Sequence, residues 1–313
     1  MAVPGFTDMT TAARTNGQSQ NWLDGRYLLG EELGRGGHGV VYRAHDRETG
    51  EDVAIKVLKQ SVAEDPQYAV RLWREAESLR MLCGTSTVRF LNYGNDRYGA
   101  VYLVMELLVG ETLDDHLLDL EDFEHLISPY QLLVALDPIA RALHTAHSKG
   151  IVHRDIKPGN IFLVDPVMGG GVRLMDFGLA KIAGTEELTQ AGMIAGSPSY
   201  IAPELWRNER PDHRIDVYSF AAVIFRALAG RPPFMADSTP ELLIQVTTSE
   251  RPRLSEYRPD MVPEIDDWVM RALALRRDDR YPYVTSMWND LIRIVQMADS
   301  PSGEKARAAF RLP

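Results

Sequence analysis

The chain has 313 residues, enough for two lobes, with 45% hydrophobic and 25% charged residues, a balance typical of globular proteins. Its formal net charge of −10 argues against a general nucleic-acid binder or a protein that docks on anionic lipid, because both need a basic face. The single cysteine, Cys83, cannot form an internal disulfide, which favours a reducing compartment.

The first part of the chain has a β-rich pattern. Residues 1–21 contain little to bury and are predicted to form a flexible leader. Short apolar runs separated by turns follow, and one amphipathic helix is predicted over Arg71–Leu82. The predicted strand segments are Tyr27–Leu29, Val40–Tyr42, Val53–Ile55, Val88–Tyr93 and Val101–Leu107.

After residue 109 the pattern becomes mainly helical. A helix is predicted from Ser128 to about Ser148, with a kink at Pro138. Residues 151–182 revert to short strands and loops. Later predicted helices are Asp216–Ala229, Pro263–Leu275 and Val284–Met297. The sequence therefore predicts a leader over 1–21, a small lobe with its hinge over 22–108, a large lobe over 109–298 and a loose tail over 299–313.

A glycine-rich run opens the β-rich part. It comprises Gly34, Arg35, Gly36, Gly37, His38 and Gly39. Glycines let backbone N–H groups approach phosphates closely, but the same spacing occurs in dinucleotide-binding turns and in turns that bind nothing. A dinucleotide turn opens a helix, whereas here a strand pattern follows and a further strand ends in Lys56. This context favours a lid hairpin over nucleotide phosphates, with His38 at its tip.

Lys56 and Glu75 are a predicted pair. Lys56 closes an apolar strand, a position that a surface lysine with a buried stem also occupies. Glu75 lies on the following predicted helix, and alone it would be interpreted as an exposed glutamate. Together with the glycine run, the pair would fix an ammonium against the α- and β-phosphates of a nucleotide.

The most specific pattern is the run from His153 to Asn160, with the sequence His-Arg-Asp-Ile-Lys-Pro-Gly-Asn. Asp155 can accept the proton of a substrate hydroxyl, Lys157 can neutralise a transferring phosphoryl group, and Asn160 can ligate Mg²⁺. Asp176 opens an Asp-Phe-Gly turn 21 residues after Asp155 and could hold Mg²⁺ that bridges the β- and γ-phosphates. His153 is predicted to be structural.

These motifs stand in a familiar order, completed by Ala-Pro-Glu at the end of the segment Gly196–Glu204. Residues 25–297 resemble a eukaryotic-type protein Ser/Thr kinase catalytic domain of the bacterial branch. The resemblance implies an α+β fold with a small β-rich N-lobe that carries one key helix and a larger, mainly helical C-lobe. It also implies transfer of the γ-phosphoryl group of ATP, with Mg²⁺ or Mn²⁺, to Ser or Thr hydroxyls of proteins in signalling.

The resemblance assigns further roles. Lys157 would mark a Ser/Thr rather than a tyrosine kinase. Asp216 would hold the catalytic loop from below, and Arg280 would pair with Glu204 in a buried bridge. Met105 falls at the gatekeeper position, and residues 106–108 would be the hinge that binds adenine. The nucleotide site assigned in this way comprises Gly34, Arg35, Gly36, Gly37, His38, Gly39, Val41, Ala54, Lys56, Met105, Glu106 and Leu108.

The segment between Asp176 and Glu204 is predicted to carry the activating phosphorylation, chiefly at Thr189 and secondarily at Thr185. Both threonines could instead be ordinary exposed loop residues. The cations expected to bind the phosphate are Arg154, Lys181 and Arg71. Within the segment, Ser197 replaces the more frequent threonine of the family.

A run of acidic residues follows the hinge. It comprises Glu111, Asp114, Asp115, Asp119, Glu121, Asp122 and Glu124, with no intervening Lys or Arg. The simplest interpretation is a solvated helix face. The alternative is that part of the run borders the substrate entrance and favours basic peptides.

Two other functions compete with an active protein kinase. A kinase-shaped binding module would need a lesion at Lys56, Asp155, Asn160 or Asp176, and all four are intact. A small-molecule kinase of related shape would resemble the family less in the peptide shelf, Gly196–Glu204.

The expected partners are protein substrates and a second copy for trans-autophosphorylation, with no nucleic acid and no membrane contact by this chain. No apolar run reaches the roughly 18 residues of a membrane span. The sequence therefore predicts a soluble catalytic domain in the cytoplasm, and an anchor beyond Pro313 stays open.

Overall fold

The computed structural model describes residues 22–35, 39–58, 76–77, 79–96, 99–177, 198–207 and 209–298. They form two compact units. The smaller unit contains 22–58 and 91–107, and the larger contains 76–90 and 108–298. This division differs from the predicted lobes at residues 76–90, because Val88 N–H donates to the Leu174 carbonyl at 2.9 Å and Leu174 N–H donates to Ser86 at 2.8 Å.

The smaller unit is built on one sheet. Its strands are β1 (Trp22–Leu23), β2 (Tyr27–Arg35), β3 (Gly39–Asp46), β4 (Asp52–Leu58), β5 (Phe90–Asn95) and β6 (Val101–Glu106). The strand order is β1-β2-β3-β4-β6-β5. Successive strand residues point to opposite faces, so alternate side chains such as Val53, Ile55, Tyr102 and Val104 share one apolar cluster.

An ion pair joins the start of β2 to the end of β3. Arg26 donates from Nε and Nη2 to the two carboxylate oxygens of Asp46, at 2.8 and 2.7 Å. These hydrogen bonds from Arg26 lower the pKa of Asp46, a buried residue, to about 2. The carboxylate is therefore more acidic in the folded chain than in the unfolded chain.

We expect this pair to make the free energy of unfolding of the smaller unit depend on pH in the acid range. A carboxyl group whose folded pKa is depressed stabilises the fold above its unfolded pKa of about 4, and this stabilisation is lost as pH falls toward 2. Asp46→Asn should lower the free energy of unfolding by an amount on the order of 1–2 kcal/mol at pH 6 and by much less at pH 2. Urea unfolding of both proteins across this range measures the difference, and a difference independent of pH would contradict the expectation.

The larger unit is mainly helical. Its α-helices are α1 (Leu113–Asp122), α2 (Pro129–Ser148), α3 (Pro203–Trp206), α4 (Arg214–Ala229), α5 (Thr239–Thr248), α6 (Glu264–Ala272) and α7 (Val284–Ala298). A small antiparallel sheet pairs β7 (Gly110–Thr112), β8 (Ile161–Val164) and β9 (Val172–Leu174). Residues 76–77 and 79–81 are helical, within the predicted helix Arg71–Leu82, and residues 71–75 lie outside the described ranges.

Helix α4 is the centre of the larger unit, since every residue from Ile215 to Ala229 is buried. Burial on all sides is characteristic of a core element. Helix α2 begins at the capping box of Ser128 and continues through Pro138. None of the helices in the described ranges combines the length and apolarity needed to cross a bilayer.

Candidate active site

In the smaller unit, the strand register brings predicted nucleotide-site residues next to each other. Val41 of β3 is the register partner of Lys56 of β4, and Ala54 is the partner of Met105 of β6. Lys56 is buried, with 7% of its surface exposed. The same two strands, β4 and β6, place Glu106 opposite Val53. Five of the predicted positions therefore lie on three adjacent strands.

Two glycines of the glycine-rich run have different surroundings. A Cβ at Gly39 would lie 2.3 Å from the Val57 carbonyl oxygen, so only glycine permits this approach of β3 to β4. A Cβ at Gly34 would meet no atom of the described residues within 4 Å. Packing among the described residues therefore does not require glycine at position 34, and a glycine there would also let a phosphate approach the backbone.

In the larger unit, the predicted catalytic loop forms a hydrogen-bonded cluster around Asp155. Lys157 Nζ donates to Asp155 Oδ2 at 2.9 Å. The Asn160 amide Nδ2 donates to the same oxygen at 2.9 Å and to the Asp155 carbonyl at 2.7 Å. Both donors bind Oδ2, and none of the residues that the structure describes donates to Oδ1.

The loop is held by Asp216 of α4. Its carboxylate is fully buried and accepts from the backbone N–H groups of His153 and Arg154, each at 2.8 Å. His147 Nε2 lies 2.8 Å from Asp216 Oδ2. Burial alone would raise the pKa of Asp216, but the hydrogen bond and charge of His147 hold it below its usual value. Arg154 has φ +70°, a left-handed conformation that is costly for a non-glycine residue.

His153 joins the catalytic loop to the segment that carries Asp176. Its Nε2 lies 2.8 Å from the Met175 carbonyl oxygen, and its ring contacts the Phe177 ring with centroids 4.5 Å apart. Met175 N–H donates to the Asn160 carbonyl at 2.8 Å. Asp176 also has positive φ, +52°. These contacts bring the two predicted metal ligands, Asn160 and Asp176, to neighbouring positions.

The donor set suits a hard divalent cation. Because Nδ2 of Asn160 is used in hydrogen bonds to Asp155, its Oδ1 is the atom available to a metal. Amide and carboxylate oxygens are ligands that Mg²⁺ prefers, and protein sites for Mg²⁺ commonly supply one or two carboxylates beside substrate phosphates. Across the described ranges there is no group of three or more His, Cys, Asp or Glu that could hold a metal.

The predicted peptide shelf is described from residue 198 onward, and two buried residues of the larger unit hold it. Arg280 donates to both carboxylate oxygens of Glu204 at 2.8 and 2.7 Å, and both residues are buried. Ser219 Oγ donates to the Tyr200 carbonyl at 2.7 Å. Ser219 and Tyr200 were not among the predicted site residues, although a serine inside a buried, mostly apolar helix is a signal that a partner exists.

Two members of the acidic run are not part of a freely solvated face. Glu121 accepts from Nε of Arg226 at 2.9 Å, and Asp114 accepts from its Nη1. Asp115 is the third residue of the capping box with Thr112. The interpretation of the whole run as a solvated face is therefore wrong for Asp114 and Glu121, because a buried cation on α4 neutralises them. Arg226 was not among the predicted site residues.

Other predicted residues have fewer contacts or lie outside the described ranges. Arg154 has an exposed side chain that makes no hydrogen bond or ion pair with the described residues. Leu108, the last residue of the predicted hinge, belongs to the larger unit. The predicted residues outside the described ranges are Gly36, Gly37, His38, Arg71, Glu75, Lys181, Thr185, Thr189 and Ser197.

Residues 27–287 match the family model of the protein kinase domain. Among curated proteins, the probable serine/threonine-protein kinase SCO3848 of Streptomyces coelicolor is 37% identical over 86% of this chain, and PknB of Mycolicibacterium smegmatis is 36% identical over 89%. The chain spans 40% and 45% of the length of these two proteins. PknL of Mycobacterium tuberculosis is 34% identical over 93% of this chain and 69% of its own length.

A solved structure gives the same result for the fold. The kinase domain of Mycobacterium tuberculosis PknI has a TM-score of 0.69 and 26% sequence identity, and the match covers 90% of this chain and all of that domain. The expected α+β kinase fold, with a β-rich and a mainly helical lobe, is thereby confirmed.

Proposed function

This chain belongs to the protein kinase domain family, and we propose that it transfers the γ-phosphoryl group of ATP to serine or threonine hydroxyls of proteins. The curated relatives that share its sequence over most of its length are named serine/threonine-protein kinases. The site residues named above are part of the proposal.

The observation that carries the proposal is the arrangement of Asp155. One carboxylate oxygen accepts from Lys157 and Asn160, and the other is left for a substrate hydroxyl. Lys157 makes the carboxylate part of a charged pair and stands beside the position of proton transfer. A carboxylate oriented in this way can align a hydroxyl nucleophile and accept its proton.

The phosphate side of the site has its own residues. When bound, ATP supplies the phosphoryl group and a divalent cation supplies positive charge to its phosphates. The backbone at Gly34 leaves room for a phosphate, and the buried ammonium of Lys56 lies opposite Val41 of the lid hairpin. Asn160 and Asp176 would hold the cation, for which we propose Mg²⁺, with Mn²⁺ as a substitute. Glu75 would fix Lys56.

A transfer assay tests the proposal. The purified chain is incubated with γ-labelled ATP, Mg²⁺ and histone, beside Asp155→Asn prepared in the same way. We expect label on histone with the unchanged chain only, and phosphoamino-acid analysis should recover phosphoserine or phosphothreonine. Absence of transfer, equal transfer by both proteins, or label confined to tyrosine would contradict the proposal. Replacing Mg²⁺ by Mn²⁺ in the same assay tests the choice of cation.

We propose in addition that the chain phosphorylates its own activation segment, chiefly at Thr189 and secondarily at Thr185. The exposed guanidinium of Arg154, next to Asp155, supports this regulation, since a phosphate needs a cationic partner to order a segment. Lys181 and Arg71 complete the proposed pocket. Self-association of two copies would allow transfer in trans.

Thr189→Ala should lose most of the transfer rate, by about 10–100-fold, because the phosphate can no longer form charge-assisted hydrogen bonds with Arg154. Mass spectrometry of the unchanged chain and of Asp155→Asn, both expressed in the same way, measures the modification. We expect phosphate on Thr189 only in the active protein. Thr185→Ala is the matched control and should have the smaller effect. Full activity of Thr189→Ala, or fully active enzyme without phosphate at this position, would end the hypothesis.

The proposed location is the cytoplasm, where ATP is plentiful and the exposed thiol of Cys83 stays reduced. The proposed partners are protein substrates, without nucleic acid, because the net charge of −10 disfavours phosphate backbones. We propose no membrane contact for the chain itself. The protein substrate is a Ser- or Thr-containing protein.

A further inference from the structure

Three polar side chains lie along one stripe of the buried helix α4. Asp216, Ser219 and Arg226 are separated by three and seven residues, which places them on the same side of a helix. Asp216 binds the catalytic loop, as described above. The other two both bind one residue of the peptide shelf, Tyr200. The stripe therefore serves two parts of the site from one rigid element.

Tyr200 is held at its backbone and at the end of its side chain. Ser219 Oγ donates to its carbonyl at 2.7 Å, and Arg226 Nη1 donates to its hydroxyl at 3.2 Å. The residue is 4% exposed, and burial raises the pKa of its hydroxyl to about 12. The hydroxyl is thus neutral near pH 7 and accepts the hydrogen bond of the guanidinium.

Arg226 is itself fixed by charge. It donates to the two carboxylate oxygens of Glu121 at 2.9 and 3.3 Å and binds Asp114 through Nη1. Both carboxylates belong to α1, and the arginine is 7% exposed. A guanidinium held by a bidentate pair and a second carboxylate has little freedom to move, because its planar fork fixes the donor directions.

The placement of Tyr200 gives this cluster a consequence for the substrate. Tyr200 stands four residues before Glu204, which Arg280 holds by two hydrogen bonds. The described part of the peptide shelf is therefore held at two points, at Tyr200 by helix α4 and at Glu204 by Arg280, which precedes helix α7. The Glu204 end is the one that the family resemblance assigned, and the Tyr200 end depends on Arg226 and Ser219.

We infer that Arg226 is a positioning residue for the protein substrate, which it serves by fixing Tyr200 and with it the shelf that receives the peptide. The inference rests on the proposed kinase function. Arg226 binds the shelf and α1 and is not among the residues proposed to bind the nucleotide. Its loss should weaken binding of the protein acceptor and leave binding of ATP unchanged.

Steady-state kinetics with histone and ATP test this role. In Arg226→Met, we expect the KM for histone to rise about tenfold, since a lost hydrogen bond to a charged group is worth about that factor. The KM for ATP should stay within about twofold of that of the unchanged chain, because Arg226 is not among the residues proposed to bind the nucleotide. Tyr200→Phe removes only the hydroxyl and should change the histone KM in the same direction.

The double variant shows whether Arg226 acts through Tyr200. If it does, Arg226→Met with Tyr200→Phe will raise the histone KM no further than Arg226→Met alone. Independent multiplication of the two effects would overturn the inference. Tyr200→Phe keeps the ring and the cluster of charges, so it also tests the role if Arg226→Met fails to fold.

Arg258→Met is the matched control. Arg258 is equally buried, at 6% exposure, and binds Asp260 and the carbonyl groups of Ile127 and Leu228 rather than the shelf. It should lower the free energy of unfolding and leave both KM values unchanged. An equal rise of the histone KM in Arg258→Met and Arg226→Met would assign the effect to general destabilisation and overturn the inference. Absence of transfer by the unchanged chain would instead contradict the kinase function itself.

Discussion

Asp155→Asn is expected to reduce the turnover number by about 10²–10⁴-fold, the range typical of a lost general base. Asparagine keeps the shape of the side chain and can still meet Lys157 and Asn160, but its amide cannot take up the proton of a hydroxyl group. The fold should survive, because Asp155 is partly exposed and belongs to a loop. The kcat with saturating ATP and histone measures the loss, and circular dichroism shows whether the fold is intact.

A second aspartate of the larger unit provides the control. Asp165 caps a helical turn by accepting from Val167 N–H at 2.7 Å and is not among the proposed site residues. Asp165→Asn should keep the kcat of the unchanged chain. Near-native turnover of Asp155→Asn would show that another group takes the proton.

Lys56→Met should lose most of the activity, since it removes the ammonium proposed to hold the phosphates.

The second large effect concerns Asp216. Asp216→Ala leaves the N–H groups of His153 and Arg154 and the ring nitrogen of His147 without their common acceptor in a buried site. Each unmet buried group costs about 1–3 kcal/mol, so the larger unit should lose about 3–5 kcal/mol of its free energy of unfolding. The positive φ of Arg154 would also lose the hydrogen bond that maintains it, and the kcat should fall together with stability.

Chemical unfolding and kcat, measured on the same preparations, check this expectation. The free energy of unfolding and the kcat of Asp216→Asn should lie between those of the unchanged chain and of Asp216→Ala. Its one carbonyl oxygen can accept from part of the donor set, but its amide group repels another N–H. Asp137→Asn is the control in the same unit. It replaces the carboxylate that accepts from Trp288 Nε1 at 2.9 Å and leaves the contacts of the catalytic loop unchanged. An Asp216→Ala variant within about 1 kcal/mol of the unchanged chain would contradict the assigned role.

The sequence predicted the elements whose signals are local. Helix α4 was predicted over Asp216–Ala229 and observed over Arg214–Ala229, because an apolar stretch ends at Gly230, the residue with φ +70° at its C-cap. Helix α7 was likewise predicted within one residue, over Val284–Met297. Helix α5, Thr239–Thr248, was not predicted, although Ser238 and Pro240 give it a start signal. Its threonines and valine have low helix propensity, and packing against the core compensates for it.

The candidate site divides in the same way. The contacts of Asp155 with Lys157 and Asn160 lie within five residues of sequence and follow from the motif. The contacts of Arg226 with Asp114 and Glu121 join residues 112 and 105 positions apart, and no local pattern reports which of several carboxylates an arginine will meet. The sign in the sequence is an arginine inside a mostly apolar helix, which indicates that some partner exists without identifying it.

Helix α4 has a further consequence for how the larger unit opens. Its residues from Ile215 to Ala229 are covered on every side, so deuterium can reach their amides only when the neighbouring helices separate. Such a helix owes most of its stability to packing and is not expected to be stable alone in water. Exchange across this segment therefore follows cooperative disassembly of the whole unit. The exchange rate of these amides therefore reports the free energy of global unfolding and does not depend on motion of the catalytic loop.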